Sequence, residues 1–308
     1  MTATSGPPER DPGEEEERSY YGQPVLKTPE WTWEVPWYLS TGGLAGASAG
    51  LALGARLTGR PALARVARLV GAAGAGASPA LLVMDLGRPR RFLNMLRVFK
   101  PTSAMSMGSW LLSAFVPAAV ASAVLAAAGR LPVLQRVAEA VAAALGLPMC
   151  TYTAVLVADS SVPVWHEARH ELPFVFAGSA AASAGAVAAL LAPPAEAGPA
   201  RRLAVAGATG ELVAAEVMRH RLGELAEPYR SGDGGHWSRA ASACTGTGAV
   251  LLSLAGTRVG AALVVVGGIC QRWAVYRAGF ASARDPRYVV GPQRRRRDAR
   301  AGAVASPS

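Results

Sequence analysis

Apolar runs of roughly 20 residues recur along the sequence and limit the folds open to this chain. Of its 308 residues, 51% are hydrophobic and 17% are charged, whereas a soluble domain carries about 25% charged residues. A helix of about 20 apolar residues crosses the hydrocarbon core of a bilayer. The sequence therefore predicts an all-α fold, a polytopic membrane bundle of about eight transmembrane helices.

The predicted membrane domain spans residues 31–284 and is flanked by two tails. Residues 1–30 are rich in proline, glycine and glutamate, which predicts a disordered acidic tail. Residues 285–308 carry an arginine run among small residues and are predicted to be a disordered basic tail. The eight predicted spans lie at about 36–57, 64–85, 104–128, 135–159, 171–192, 202–220, 238–256 and 258–279.

The net charge of +10 comes largely from arginines that lie between apolar runs and in the C-terminal tail. Arginines are enriched at the cytoplasmic flanks of membrane helices, so this pattern indicates membrane lipid as a partner and argues against nucleic acid. The high alanine content and the excess of arginine over lysine are typical of a GC-rich bacterial genome. We therefore expect a multi-pass protein of the bacterial inner membrane. An even number of spans places both termini on one side, which the arginine-rich tail predicts to be cytoplasmic.

The histidines and cysteines lack the spacing of a metal, haem or iron–sulfur site. Bis-histidine haem needs paired histidines within helices, and clusters need closely spaced cysteines. We therefore expect no such cofactor in the chain, and a redox role would require electrons from a partner. The four histidines lie at predicted helix ends or in loops, and the three cysteines lie far apart: His166, His170, His220, His236, Cys150, Cys244 and Cys270.

Ionisable groups inside apolar runs are candidate functional residues because charge within a bilayer is costly. Glu211 and Glu216 both lie in the sixth predicted span, about 140° apart around the helix, so they do not share a face. Asp159 ends the fourth span, and His166 and Glu167 lie in the loop that follows it. These three are candidates for proton transfer, and for His166 and Glu167 a polar loop tip is the alternative.

Aromatic residues near the predicted helix ends are candidates for holding a flat apolar ligand. Trp33 and Tyr38 belong to an aromatic cluster at the start of the first span, for which an interfacial belt is the alternative interpretation. Tyr152 follows Pro148, which interrupts the fourth span. The hydroxyl of a buried tyrosine needs a hydrogen-bond partner, so Tyr152 is the stronger candidate of the three.

Four stretches of the chain carry a family resemblance over about residues 31–280. The most specific is Asp85-Leu-Gly-Arg-Pro followed by Lys100-Pro-Thr-Ser. The others are Trp33-Glu-Val-Pro-Trp-Tyr, the segment from Tyr152-Thr to Trp165-His-Glu-Ala-Arg169, and the glutamate-bearing sixth span. In these stretches the chain resembles the NrfD family, the membrane subunits of polysulfide-reductase-type complexes.

The resemblance implies a haem-free, eight-helix subunit of an oxidoreductase complex. Such a subunit docks a ferredoxin-like iron–sulfur protein, serves a catalytic subunit and exchanges electrons with a quinone, for which menaquinone is expected. By position the family's quinone-site tyrosine is Tyr152, with Trp33, Tyr38, Glu211 and Glu216 as further candidates. We expect the basic segment after the second span to contact the iron–sulfur protein through Asp85, Arg88, Arg90, Arg91, Arg97 and Lys100.

A membrane transporter or a passive scaffold is the alternative function. Transporters commonly contain internal repeats with broken helices in matching halves. We find no such repeat in the sequence, which favours the redox subunit.

Overall fold

The computed structural model describes residues 26, 29, 31–85 and 94–289. Eight long helices, labelled α1 to α8, dominate this part of the chain, and it contains no strand. The helices are α1 Glu34–Leu57, α2 Pro61–Asp85, α3 Ala104–Ala128, α4 Pro132–Ala158, α5 Leu172–Leu191, α6 Gly198–Leu222, α7 Gly232–Ala255 and α8 Arg258–Arg284. The predicted tails lie almost wholly outside the described residues, as do Arg88, Arg90 and Arg91.

Five of the eight helices, α2, α3, α4, α5 and α8, are long and apolar enough to cross a membrane. The all-α fold is therefore confirmed for the described residues, with five candidate membrane spans. The other three helices have 24 or 25 residues but are less apolar. Glycine and hydroxyl residues are frequent in α1 and α7, and α6 carries arginines and two glutamates.

Helix α1 lies at the centre of the bundle, where it contacts α2, α4, α5 and α8. Neighbours in sequence also pair in space, since α3 packs on α4, α5 on α6, and α7 on α8. The turn between α7 and α8 is only Gly256 and Thr257, and Gly256 adopts the left-handed conformation with φ +60°. Helices α7 and α8 therefore form a tight hairpin.

Helix α1 has a glycine at every fourth position from Gly42 to Gly54. Only the first two of these four glycines allow close packing against another helix. Gly42 and Gly46 face α4, where a Cβ on Gly46 would lie 2.5 Å from the carbonyl oxygen of Gly146. Small residues of this kind let two helix backbones approach each other in a membrane. Gly50 and Gly54 face open space instead, with nothing within 4 Å of an added Cβ.

A buried carboxylate joins three helices near the end of α1. Glu139 of α4 is 2% exposed, and its Oε1 accepts a hydrogen bond of 2.8 Å from Nη2 of Arg68 in α2. Its Oε2 is ion-paired with Arg56 at the end of α1. Buried charges persist when they are paired in this way. Glu139 was not among the predicted functional residues.

Candidate functional site

A cleft of about 730 Å³ opens between α3 and α4, on the side where α4 ends. We call it the α3–α4 cleft. Its long walls are mostly apolar, whereas polar side chains lie at its inner end and at its mouth. The described residues that line it are Pro101, Thr102, Ala104, Met107, Leu111, Pro148, Thr151, Tyr152, Val155, Ala158, Asp159, His166 and Arg169.

Two tyrosines from different helices meet at the inner end of the α3–α4 cleft. Tyr38 of α1 is 2% exposed, and its hydroxyl donates to the hydroxyl of Tyr152 over 3.4 Å. Because a phenol is both donor and acceptor, this leaves the Tyr152 proton for an acceptor in the cleft. The ring of Tyr152 packs directly on Gly108 of α3, where any Cβ would collide with it.

Three charged or titratable residues surround the mouth of the α3–α4 cleft. Asp159 caps the C-terminal end of α4. The Nδ1 atom of His166 lies 3.4 Å from the carbonyl oxygen of Ala158, which places the ring beside Asp159. Arg169 donates to the carbonyl oxygen of His166 over 3.2 Å. The structure therefore brings Tyr152, Asp159 and His166 to one cleft and adds Arg169, which the sequence analysis had not selected.

Trp165 anchors the connection between α4 and α5, in which the short helix Pro163–Glu167 carries His166. This tryptophan is 1% exposed, and its Nε1 donates to the carbonyl oxygen of Val275 in α8 over 2.7 Å. Its ring occupies a notch above Gly279, where a Cβ would collide with the indole. Trp31 stacks on the other face with ring centroids 5.2 Å apart. These contacts hold the mouth of the cleft against α8.

Of the predicted quinone-site and proton-transfer residues, Tyr38 reaches the α3–α4 cleft only through its contact with Tyr152, and four others do not line it in the described structure. Trp33 is 54% exposed and lies in a separate pocket with Trp273. Glu216 is exposed and ion-paired with Arg219. Glu167 is half-buried at the end of the short helix Pro163–Glu167, and its carbonyl oxygen accepts a hydrogen bond from Arg221. The fourth residue, Glu211, is buried elsewhere in the bundle.

Glu211 of α6 and Arg272 of α8 are both buried in the bundle interior. Each is 1% exposed, so the Arg272 side chain does not extend to the surface of the bundle. Arg272 donates to the carbonyl oxygen of Phe176 over 3.0 Å, and its guanidinium lies 3.6 Å above the Phe176 ring. The carboxyl oxygens of Glu211 and two guanidinium nitrogens have no described hydrogen-bond partner. Water in the adjacent cavity of about 140 Å³ could satisfy the arginine.

Three of the residues predicted to contact a partner protein lie in the described part of the chain, namely Asp85, Arg97 and Lys100. Asp85 accepts hydrogen bonds from the backbone and the hydroxyl of Thr32, at 3.3 and 2.9 Å. Arg97 and Lys100 are exposed. Ser103 caps α3 by accepting from the backbone of Ser106. The Lys100-Pro-Thr-Ser motif thus starts α3 and, through Pro101 and Thr102, forms part of the cleft mouth.

Within residues 26, 29, 31–85 and 94–289, no group of three His, Cys, Asp or Glu residues could hold a metal ion.

Comparison with known proteins identifies the family. A comparison with curated proteins gives no match. A family model described as polysulphide reductase, NrfD, matches residues 26–212. This match covers more than half of the chain and every described residue that lines the α3–α4 cleft. The chain therefore belongs to the polysulphide reductase NrfD family.

Proposed function

We propose that this chain is the quinone-reactive membrane subunit of an oxidoreductase complex and that the quinone binds in the α3–α4 cleft. The observation that supports this most strongly is the arrangement of the cleft. A tyrosine hydroxyl lies at its inner end, apolar walls follow, and Asp159, His166 and Arg169 surround its mouth.

The α3–α4 cleft has the size and polarity that a quinone requires. Ligand sites of about 300–1,000 Å³ combine apolar walls with a few convergent polar groups, and this cleft measures about 730 Å³. A quinone ring has two oxygens that accept hydrogen bonds, and its isoprenoid tail is apolar. In the proposed complex Tyr152 donates to one quinone oxygen, and the apolar walls hold the ring and part of the tail. We propose menaquinone as the natural substrate.

Each two-electron reduction of a quinone also consumes two protons, so the site needs a route to water. Asp159 and His166 lie at the exposed mouth and can exchange protons with solvent as general acid and base groups. In the proposed mechanism these residues relay protons, while Tyr152 orients the ring.

Electrons would reach the α3–α4 cleft from a ferredoxin-like iron–sulfur subunit that is associated with a catalytic subunit. The exposed side chains of Arg97 and Lys100 lie just before the residues of the cleft mouth. A cluster docked there would be close to a quinone in the cleft. Arg88, Arg90 and Arg91 belong to the same basic segment of the sequence, and we propose that the whole segment contacts the partner.

Charge reversal in the basic segment should release the iron–sulfur subunit. We expect the variant Arg90→Glu, Arg91→Glu, Arg97→Glu to lose the partner on affinity purification, because complementary charges direct association. The matched control is Arg130→Glu, an exposed arginine in the α3–α4 connection, which should retain it. A complex that survives the triple reversal would instead indicate that this segment anchors lipid headgroups.

We also propose that all eight long helices cross the membrane. The less apolar α1, α6 and α7 each pack against apolar helices, and α1 has four long-helix neighbours. Helices shielded by protein need less apolar sequence than helices that face lipid.

Eight crossings would place both termini on one side, and we propose the cytoplasm of a bacterial cell. An alkaline phosphatase fused to Ser308 should then be inactive, whereas a green fluorescent protein at the same position should fluoresce. Active phosphatase at the C-terminus would show that the C-terminus lies outside the cytoplasm, which is the opposite orientation. Oppositely placed reporters at the two termini would contradict an even number of spans.

A further inference from the structure

A second large depression lies on the surface of α1, between α4, α5 and α6. We call it the α1 groove. It has a volume of about 700 Å³, and none of its lining residues belongs to the α3–α4 cleft. Leu147 and Leu203 contribute to its walls, and its inner end reaches Cys150.

Two open glycines expose the backbone of α1 on the floor of the α1 groove, beside Ala47, Leu51 and Ala55. Gly50 and Gly54 line it, and a Cβ at either position would meet nothing within 4 Å. Gly46 and Thr58 mark its ends along the helix, about 18 Å apart at 1.5 Å per residue. That distance slightly exceeds half of the roughly 30 Å hydrocarbon core, so the groove is as deep as one leaflet.

Two arginines lie at the outer end of the α1 groove. Arg60 is half-buried and Arg202 is exposed. Neither forms an ion pair with a described residue, and no acidic residue is among the described lining of the groove. Arg56 and Arg68, at the same end of the bundle, are by contrast both ion-paired with Glu139.

We propose that the α1 groove binds one anionic phospholipid of the membrane. An acyl chain lies over the glycine floor, and the phosphate is bound by Arg60 and Arg202. Arginine is well suited to phosphate recognition because its fork of N–H groups matches the phosphate oxygens. A quinone has an apolar tail but no negative charge for these arginines, and a helix from a second protein would also leave them unpaired unless it carried an acid there.

The test uses the full-length chain, purified in detergent, stripped of lipid and titrated with dioleoylphosphatidylglycerol under native mass spectrometry. We expect the wild type to bind one lipid. The variant Arg60→Gln, Arg202→Gln should bind it on the order of tenfold more weakly, since each arginine near a membrane surface adds to anionic lipid affinity. The variant Gly50→Leu, Gly54→Leu should lose the bound lipid because its side chains occupy the floor.

Matched controls separate this site from general effects of charge and shape. Arg258→Gln removes an exposed arginine outside the groove, and Gly76→Leu fills another open glycine position in α2. Both should bind lipid as the wild type does. All variants should elute and unfold like the wild type, because the replaced arginine side chains make no described hydrogen bond or ion pair and the added leucines enter open space.

Several results would overturn the proposal. Unchanged affinity in the arginine double variant would exclude these residues as the phosphate site. Equal binding of dioleoylphosphatidylcholine would show that the negative charge is irrelevant. Competition by inorganic phosphate at millimolar concentration would identify a site for free anions. A change of oligomeric state in the glycine double variant would indicate that the groove is a protein interface.

Discussion

Replacing Glu139 with glutamine is expected to destabilise the protein by about 3–5 kcal/mol, the usual consequence of removing one partner from a buried ion pair. The carboxylate is 2% exposed and is bound by Arg56 and Arg68. Without it, two guanidinium groups from α1 and α2 face each other with no negative charge between them. Thermal unfolding in detergent and the yield of folded protein in membranes would both report the loss.

The control for this prediction is Glu216→Gln, which removes another glutamate that is paired with an arginine. Glu216 is 72% exposed and pairs with Arg219 one turn away. Exposed pairs of this kind contribute at most about 1 kcal/mol. We therefore expect a clear difference in melting temperature between the two variants. If Glu139→Gln has the same melting temperature as Glu216→Gln, Arg56 and Arg68 are adequately solvated without the carboxylate. The ion pairs of Glu139 would then not hold the three helices together.

Replacing Tyr152 with phenylalanine should lower quinone turnover on the order of 100-fold, since a single hydrogen-bond donor at a reacting oxygen has effects of this size. The substitution keeps the ring that packs on Gly108 and removes only the hydroxyl. Assembly with the partners and their activity with artificial dyes should be unchanged. Turnover of a short-chain menaquinone analogue by the purified complex is the measurement.

Tyr229→Phe provides a matched control for Tyr152→Phe. The Tyr229 side chain is also buried, and its hydroxyl has no described hydrogen-bond partner. It lies outside the α3–α4 cleft, so removing its hydroxyl should change neither activity. If Tyr152→Phe lost both the quinone and the dye activity, Tyr152 would serve packing. If it lost neither, the quinone would bind elsewhere.

The sequence predicts the helices well because membrane helices need long apolar runs. It also predicts one face of the site, since Tyr152 and Asp159 lie seven residues apart and therefore on the same side of α4. His166 follows after a short connection that cannot carry it far from Asp159. These local relations explain why three predicted residues meet at the α3–α4 cleft.

Contacts between distant segments were not predictable in the same way. Glu139 lies in an apolar run like other candidates, but its partners Arg56 and Arg68 are 83 and 71 residues away. The sequence has 34 glycines, and nothing local distinguishes Gly108 from the others. Only the structure shows that the Tyr152 ring packs against it. Trp33 and Tyr38 belong to one aromatic cluster, yet five residues rotate a helix by about 140°. Only the packing of α1 on α4 decides that Tyr38 faces Tyr152.

The central claim is that the quinone occupies the α3–α4 cleft, and cross-linking with a photoreactive menaquinone analogue tests it most directly. The intact complex would be illuminated with the bound analogue, digested and mapped by mass spectrometry. We predict adducts in residues 101–111 and 148–159, which unlabelled menaquinone should suppress by competition. Adducts confined to the α1 groove at residues 46–58, or to any other part of the bundle, would contradict the proposed site.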